Sequence, residues 1–353
     1  MKGILLHGGH GTRLRPLTHT GPKQLLPIAN KPMSQYCIES MKDAGIKEIV
    51  IIIGGIGANK VKEYYGDGNN FGVKIEYIEQ DSPRGIAHAI MLARNFVGEE
   101  KFLVFLGDNI IQKSIQEFAR EFETSTSDAT LLLCKVDNPS RFGIAEIKNN
   151  KIVKIIEKPK NPPSDLAVTG IYFLNKKIFD MIENLKPSWR NELEITDALH
   201  MLLERGNRID YHMITDYWKD TGTPEDIINA NKEILEKMHT HIEKDVNVDQ
   251  IINDPIIIEV GAIIENNVKL IGPVLIGKKS IIKSGSVIGP NTSIGDNCLI
   301  AKAKIENSII MNDCKIQVDI KIRNSIIASN SELSVHNDEA KTFLLGEGTR
   351  IFL

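Results

Sequence analysis

The 353-residue sequence has no long apolar run, no cysteine pairing pattern and almost no net charge, and each absence removes a class of function. The first apolar stretch, Ile4 to Leu6, stops at His7 and Gly8, far too short for a secretory leader or a membrane span. Cys37, Cys134, Cys298 and Cys314 are scattered with no C-x-x-C among them, which argues against both a disulfide framework and a zinc knot. Lys and Arg number 43 against 46 Asp and Glu, a formal charge of −3, so neither nucleic acid nor an anionic membrane is expected as a partner. A cytoplasmic globular protein is the expectation that remains. With 42 % apolar and 25 % charged residues there is ample material for a core, and the length favours two domains over one.

What is present divides the chain. From residue 1 to 235, apolar strand patterns alternate with helix patterns, as in a largely parallel sheet covered by helices. "KGILL", "KEIVIII", "GVKIEYIEQ" and "KFLVFLGDN" read as strands, while "MSQYCIESMKDAGI" and "GIAHAIMLARNF" read as helices. After Asp108, "ATLLLCKV", "GIAEI", "KIVKIIEKP" and "AVTGIYFL" read as strands in series, which predicts an α/β domain with a Rossmann-like mixed sheet and a sugar-sized pocket. Residues 236–253 read as the end of a helix and a polar linker.

A different period governs residues 254–335. Positions 258, 264, 270, 276, 282, 288, 294 and 300 are all Ile or Leu, a spacing of six that neither a helix nor an ordinary strand produces. Most residues two places earlier are small, such as Ala262, Ser280, Ser286 and Cys298. The pattern resembles the hexapeptide repeat of left-handed parallel β-helices, in which each six residues form one face of a triangular coil. The register breaks after Ile300 and resumes at Ile310, which predicts a loop or an irregular coil near "AKAKIENS". Residues 336–353 are expected to form a terminal cap.

The stretch after the first strand, "HGGHGTRLRPLT", is rich in glycine, and glycine lets backbone N–H groups approach phosphate oxygens. It lacks the Lys-Ser/Thr pair of a P-loop, and Leu14 stands where a dinucleotide fingerprint needs its third glycine. What it resembles is the sugar-1-phosphate nucleotidyltransferase signature, here Gly8-Gly9-His10-Gly11-Thr12-Arg13-Leu14-Arg15-Pro16-Leu17-Thr18 followed by Pro22-Lys23-Gln24-Leu25-Leu26-Pro27-Ile28. The resemblance continues in order through "EQDSPRGIAHA", "FLGDN", "FGIAEI", "IIEKP", "AVTGIYF", "RNELEITDA" and "YWKDTGTPE". Among the branches, the chain looks most like the glucose-1-phosphate thymidylyltransferases in their long form with a hexapeptide tail.

The resemblance implies attack of a sugar-1-phosphate oxygen on the α-phosphate of dTTP, or of UTP as the nearest alternative, with release of pyrophosphate. Two anions must meet, so neutralising charge is the central problem. Arg13 and Lys23 are the implied catalytic cations. Gly8, Gly9, Gly11, Thr12, Arg13, Gln24, Gln80, Pro83, Gly85 and Asp108 would bind the nucleotide. Gly143, Glu157, Lys158, Val168, Gly170, Tyr172 and Arg190 would bind glucose 1-phosphate. Asp108 and Asp220 are the implied Mg2+ ligands, and carboxylates suit that hard cation.

Two departures from the family pattern stand out. His7 replaces a small alanine; its ring either packs under the loop through a hydrogen bond or faces the pocket, and a covalent role would need a different His-x-His context. Asn191 replaces the glycine of "RGELEITD", and Asn tolerates positive φ better than most residues. His10 reads as a solvated loop residue, His88 and His200 as structural or exposed, and Trp218 as core packing beside Asp220. Acyltransferases on β-helices commonly use a histidine base, and residues 254–335 contain none, so a bifunctional acetyltransferase is disfavoured. A non-catalytic paralogue is disfavoured too, because the aspartates and the arginine-lysine pair are present. The β-helix is then expected to serve homo-oligomeric assembly.

Overall fold

The computed structural model describes residues 1–9, 11–243, 250–334, 348 and 349. His10 and nearly all of the expected cap 336–353 lie outside the described residues. Two compact units emerge: residues 1–11, 18–25 and 33–220 form the first, and 12–17, 26–32 and 221–353 the second. Among the described residues no helix is long and apolar enough to cross a membrane.

The first unit is a mixed sheet between helices. Lys2–His7 sits centrally, parallel to Glu48–Ile53 on one flank and to Phe102–Leu106 on the other, with Lys74–Glu79 beyond Glu48–Ile53. Leu166–Leu174 runs antiparallel beside Phe102–Leu106 and also pairs with Ala129–Lys135 and Gly143–Lys148. The near-continuous apolar runs are explained by burial on both faces. Alternate residues of one strand feed opposite cores: Ile4 and Leu6 pack among helices that include Ile86–Leu92 and Ile195–Glu204, while Leu5 packs among Cys37, Ile38 and Met41 of Met33–Asp43. The helix read from "GIAHAIMLARNF" is two segments, Ile86–Leu92 and Arg94–Val97, parted at Ala93.

The second unit is dominated by a left-handed parallel β-helix. Its short strands stack into three parallel sheets, and Ile258, Ile276, Ile294, Ile282, Ile300, Leu270 and Ile288 are all wholly buried inside. The period of six is one side of a three-sided coil, so Ile256 pairs with Val274 and Ile281 with Leu299 in register. Past Ile300 the coils shorten instead of looping out: Leu299 pairs with Lys315, and Lys304–Glu306 continues its sheet without interruption. Asn267, Asn291, Asn297, Asn307, Asn324 and Asn330 hold turns with φ between 45 and 63°, a region Asn occupies more readily than other side-chain-bearing residues. Two strands within the expected linker, His241–Ile242 and Gln250–Ile252, already pair with coils.

One face of the β-helix is covered by Pro224–Leu235, whose capping box joins Thr223 and Asp226. Leu235 packs with Ile257, Leu275 and Ala29. The wholly buried Asn231 accepts from the Ala29 N–H (2.8 Å) and from the Ser293 hydroxyl (3.0 Å). Asn231→Ala orphans both donors at about 1 to 3 kcal/mol each, and urea unfolding should show a loss of that order. An unchanged midpoint would mean that these two bonds are replaced by water.

Candidate active site

Lys2–His7 and Phe102–Leu106 are neighbours, although the chain leaves the first toward Glu48–Ile53 on its other flank. At such a reversal the loops leaving the carboxyl ends of the strands part and open a crevice. One loop begins at Gly8, and the other carries Gly107, Asp108 and Asn109. Gly11 has φ 58°, its carbonyl accepts from the Thr18 hydroxyl at 2.8 Å, and a Cβ there would stand 2.9 Å from Thr18, so glycine is required twice over. Gln24 is buried and donates through Nε2 to the Gly8 carbonyl at 2.8 Å, while its Oε1 has no partner among the described residues.

Lys23 opens the 3-10 turn Lys23–Leu25, and its ammonium pairs with the Asp108 carboxylate. Burial works to raise the Asp108 pKa, but the Lys23 charge and hydrogen bonds from Lys23 and Asn109 outweigh it and hold the carboxyl below its ordinary range. Asn109 is the hub beside it. Its Nδ2 donates to Asp108 (2.9 Å), and its Oδ1 accepts from Trp218 Nε1 (2.8 Å) and from the Gly170 N–H (3.1 Å). Asn109–Ile111 pairs antiparallel with Trp218–Asp220, and the register sets Asp220 opposite Asn109. The two predicted metal aspartates therefore meet at one end of a two-stranded ribbon. Among the described residues no group of three or more His, Cys, Asp or Glu could hold a metal. Two carboxylates suit Mg2+, which usually takes one or two of them and completes its shell with water and phosphate.

Asp108 and Asp220 open onto a cavity of about 150 Å³, lined also by Gly143, Glu157, Lys158, Val168, Gly170 and Tyr172. Six of the seven residues expected at the sugar phosphate are thus gathered in one place. The seventh, Arg190, reaches the lining through Glu157 Oε1 at 3.5 Å and is also held by Glu194 (3.2 Å) and Glu192 (3.1 Å). Lys158 pairs with Glu157 at 3.3 Å and sits at φ 40°, a left-handed backbone at a non-glycine residue of the kind that collects at functional sites. Burial, with Glu157 and Glu192 nearby, raises the Glu194 pKa against the opposing Ser188 and Arg190. Asn191 takes φ 59°, and the turn closes through its N–H on the Ser188 carbonyl (2.8 Å), so the departure from glycine is absorbed.

At the other end of the crevice, Gln80 is buried, Pro83 is exposed, and Gly85 lies against Leu193 at φ 102°. Thr12 and Arg13 belong to the second unit, where the guanidinium of Arg13 lies against Gly222. A larger depression of about 550 Å³ beside Ile209–Ile214 is lined by none of the predicted residues.

A family model described as nucleotidyl transferase matches residues 2–237, and one described as the GMPPB C-terminal domain matches 270–351. The chain belongs to the nucleotidyltransferase family. It is 42 % identical, over the whole of both chains, to the low-salt glycan biosynthesis nucleotidyltransferase Agl11 of Haloferax volcanii. It is 39 % identical to a glucose-1-phosphate thymidylyltransferase of Streptomyces antibioticus, covering 99 % of each. A solved Bacillus anthracis structure assigned as a glucose-1-phosphate thymidylyltransferase, in complex with a sucrose, covers 69 % of this chain and 98 % of its own, with a TM-score of 0.64 and 42 % identity. Within the family fold, the residues that sequence reading missed are Asn109, Glu194 and Thr196. Asn109 had a signal in the quoted "GDN"; Thr196 donates to Glu157 Oε2 at 3.0 Å, a pairing across 39 residues with no local signature.

His7 resolves toward packing beneath the loop, without the expected hydrogen bond. Its ring is 1 % exposed, meets Tyr65 edge-on at 6.1 Å, and leaves both nitrogens unpartnered among the described residues. Burial lowers its pKa to about 3, against a smaller upward pull from Asp108. A depressed histidine contributes stability that is whole above its unfolded value near 6.5 and is lost as pH falls toward 3. Between pH 7 and pH 5 this amounts to about 2 kcal/mol. His7→Leu should remove most of that loss from urea midpoints measured at the two pH values, and an equally acid-sensitive variant would show that other groups cause it.

Proposed function

We propose that the chain transfers a nucleotidyl group from dTTP to glucose 1-phosphate, giving dTDP-glucose and pyrophosphate. The observation that carries this reading is the single cavity in which Asp108 and Asp220 meet the residues expected around a hexose. A sugar-phosphate oxygen attacks the α-phosphorus, one P–O bond forms, and the bond to the leaving pyrophosphate breaks. No proton need move, so the residues act by position and charge. Mg2+ held by Asp108 and Asp220 would neutralise phosphate oxygens.

The cations stand ready but occupied. Lys23 rests on Asp108, Lys158 on Glu157, and Arg190 on three carboxylates. An arriving phosphate competes for each and leaves carboxylates to ligate a metal or to accept hydrogen bonds from sugar hydroxyls. Glu157 and Glu194 are suited to hexose hydroxyls, since an ionised carboxylate is acceptor-only. The signature role of Arg13, stabilising the triphosphate and the charge that develops on it, completes the proposal. UTP is the second substrate to test, because uracil presents the same hydrogen-bonding edge as thymine. The coils carry Val260 and Ile263, 55 % and 54 % exposed, and we take assembly with copies of the same chain as part of the proposal. Light scattering that reports a monomer would remove that part.

Asp108→Asn should lower kcat by far more than tenfold, since it removes the charge that holds both Lys23 and a divalent ion. A pyrophosphate-release assay across dTTP, UTP, CTP, ATP and GTP with glucose, galactose, mannose and glucosamine 1-phosphates tests the assignment. Near-normal turnover by the variant, or full wild-type activity in excess EDTA, overturns the metal role. Preference for a purine triphosphate overturns the substrate.

A further inference from the structure

Gln80 follows Lys74–Glu79, anchored by its main-chain N–H on the Ile53 carbonyl at 2.8 Å. Its side chain is 9 % exposed, and Nε2 lies 2.8 Å from Nδ1 of His88 in Ile86–Leu92. The opposite end of the amide, Oε1, faces the glycine loop: a Cβ built on Gly8 would stand 3.8 Å from it. Among the described residues no donor reaches Oε1. Burial and the nearby Arg84 push the His88 pKa below its ordinary value, with Asp81 pulling the other way, so the ring is neutral at neutral pH. The Gln80 Nε2–His88 Nδ1 contact corresponds to the neutral tautomer protonated at Nε2, whose Nδ1 lone pair accepts the amide N–H and repels an amide carbonyl in that place.

We propose that His88 is a positioning residue for base selection: by accepting from Gln80 Nε2, it turns Gln80 Oε1 toward the nucleotide base. This rests on the reading above, in which the base lies at Gln80. An amide reversed end for end exchanges a donor for an acceptor at the same place. With Oε1 presented, the site accepts the N3–H of thymine or uracil. Cytosine carries no hydrogen at N3, so two acceptors would face each other. His88 thereby selects between pyrimidines without touching either.

The test is kcat/KM for UTP, dTTP and CTP in the full chain, with glucose 1-phosphate as acceptor. His88→Leu frees the amide to reverse and should lower the UTP-to-CTP ratio roughly tenfold, chiefly through KM, about what one oriented hydrogen bond is worth. His88→Asn restores an acceptor near the position of Nδ1 and should recover most of the ratio. His88→Lys offers only donors, favours the reversed amide, and should lower the ratio further by raising CTP use. An unchanged ratio in His88→Leu, or equal losses in the Asn and Lys variants, overturns the proposal. Should the Leu variant lack a native melting transition, the Asn and Lys pair decides by itself. Gln80→Leu separates the two levels of inference. If it moves the ratio while the His88 variants do not, only the role of His88 falls; if it leaves the ratio unchanged, the base does not lie at Gln80 and the site reading falls with it.

Discussion

A single buried amide, that of Asn109, holds the first unit's chemistry in register. Three bonds fix its orientation, because Oδ1 must face two donors, Trp218 Nε1 and the Gly170 N–H, while Nδ2 must face the Asp108 carboxylate. Strand Leu166–Leu174, ribbon Trp218–Asp220 and the loop of Asp108 are thereby tied to one side chain. An amide left half-satisfied in so dry a place costs more than any one bond returns, which makes the arrangement all-or-none. Trp218 is buried beside Asp220, as its pattern suggested, and its indole N–H also helps place the aspartates.

Charge is arranged around that amide so that the unliganded site is already compensated. Lys23, Lys158 and Arg190 would repel one another in an empty, partly buried crevice, and each has a carboxylate beside it. Burial that would protonate Asp108 is overcome by Lys23 and Asn109, whereas burial at Glu194 prevails over Ser188 and Arg190. Two carboxylates that line one cavity are thus tuned in opposite directions by their neighbours.

The second unit follows a simpler rule. Each six residues place one aliphatic side chain inside and turn a corner, and Asn in left-handed backbone makes many of those corners. The change of period after Ile300 is a shortening of coils, from the Ile281–Leu299 pairing to the Leu299–Lys315 pairing, and the sheets run through it. Parallel stacking needs only that inward positions stay aligned, so a corner can lose a residue where a strand cannot.

Periodicity and motif order are local properties, and they made both folds legible. The alternation of strand and helix, the spacing of six and the glycine loop follow from residues close together in the chain, and six of the seven residues that the family resemblance named for a sugar phosphate line one cavity. Pairings across long separations were not legible, because a pattern says which face a side chain occupies and leaves its partner open. Asn109 meets Trp218 across 109 positions, and Glu157 meets Thr196 across 39. For the same reason, only the tertiary structure buries His7 under the loop with its nitrogens unpartnered and sets His88 against Gln80. The sequence by itself determined which chemistry the chain carries; the packing of distant strands decided how each polar group is oriented, since a buried donor or acceptor takes whatever partner the fold brings within 3 Å or so.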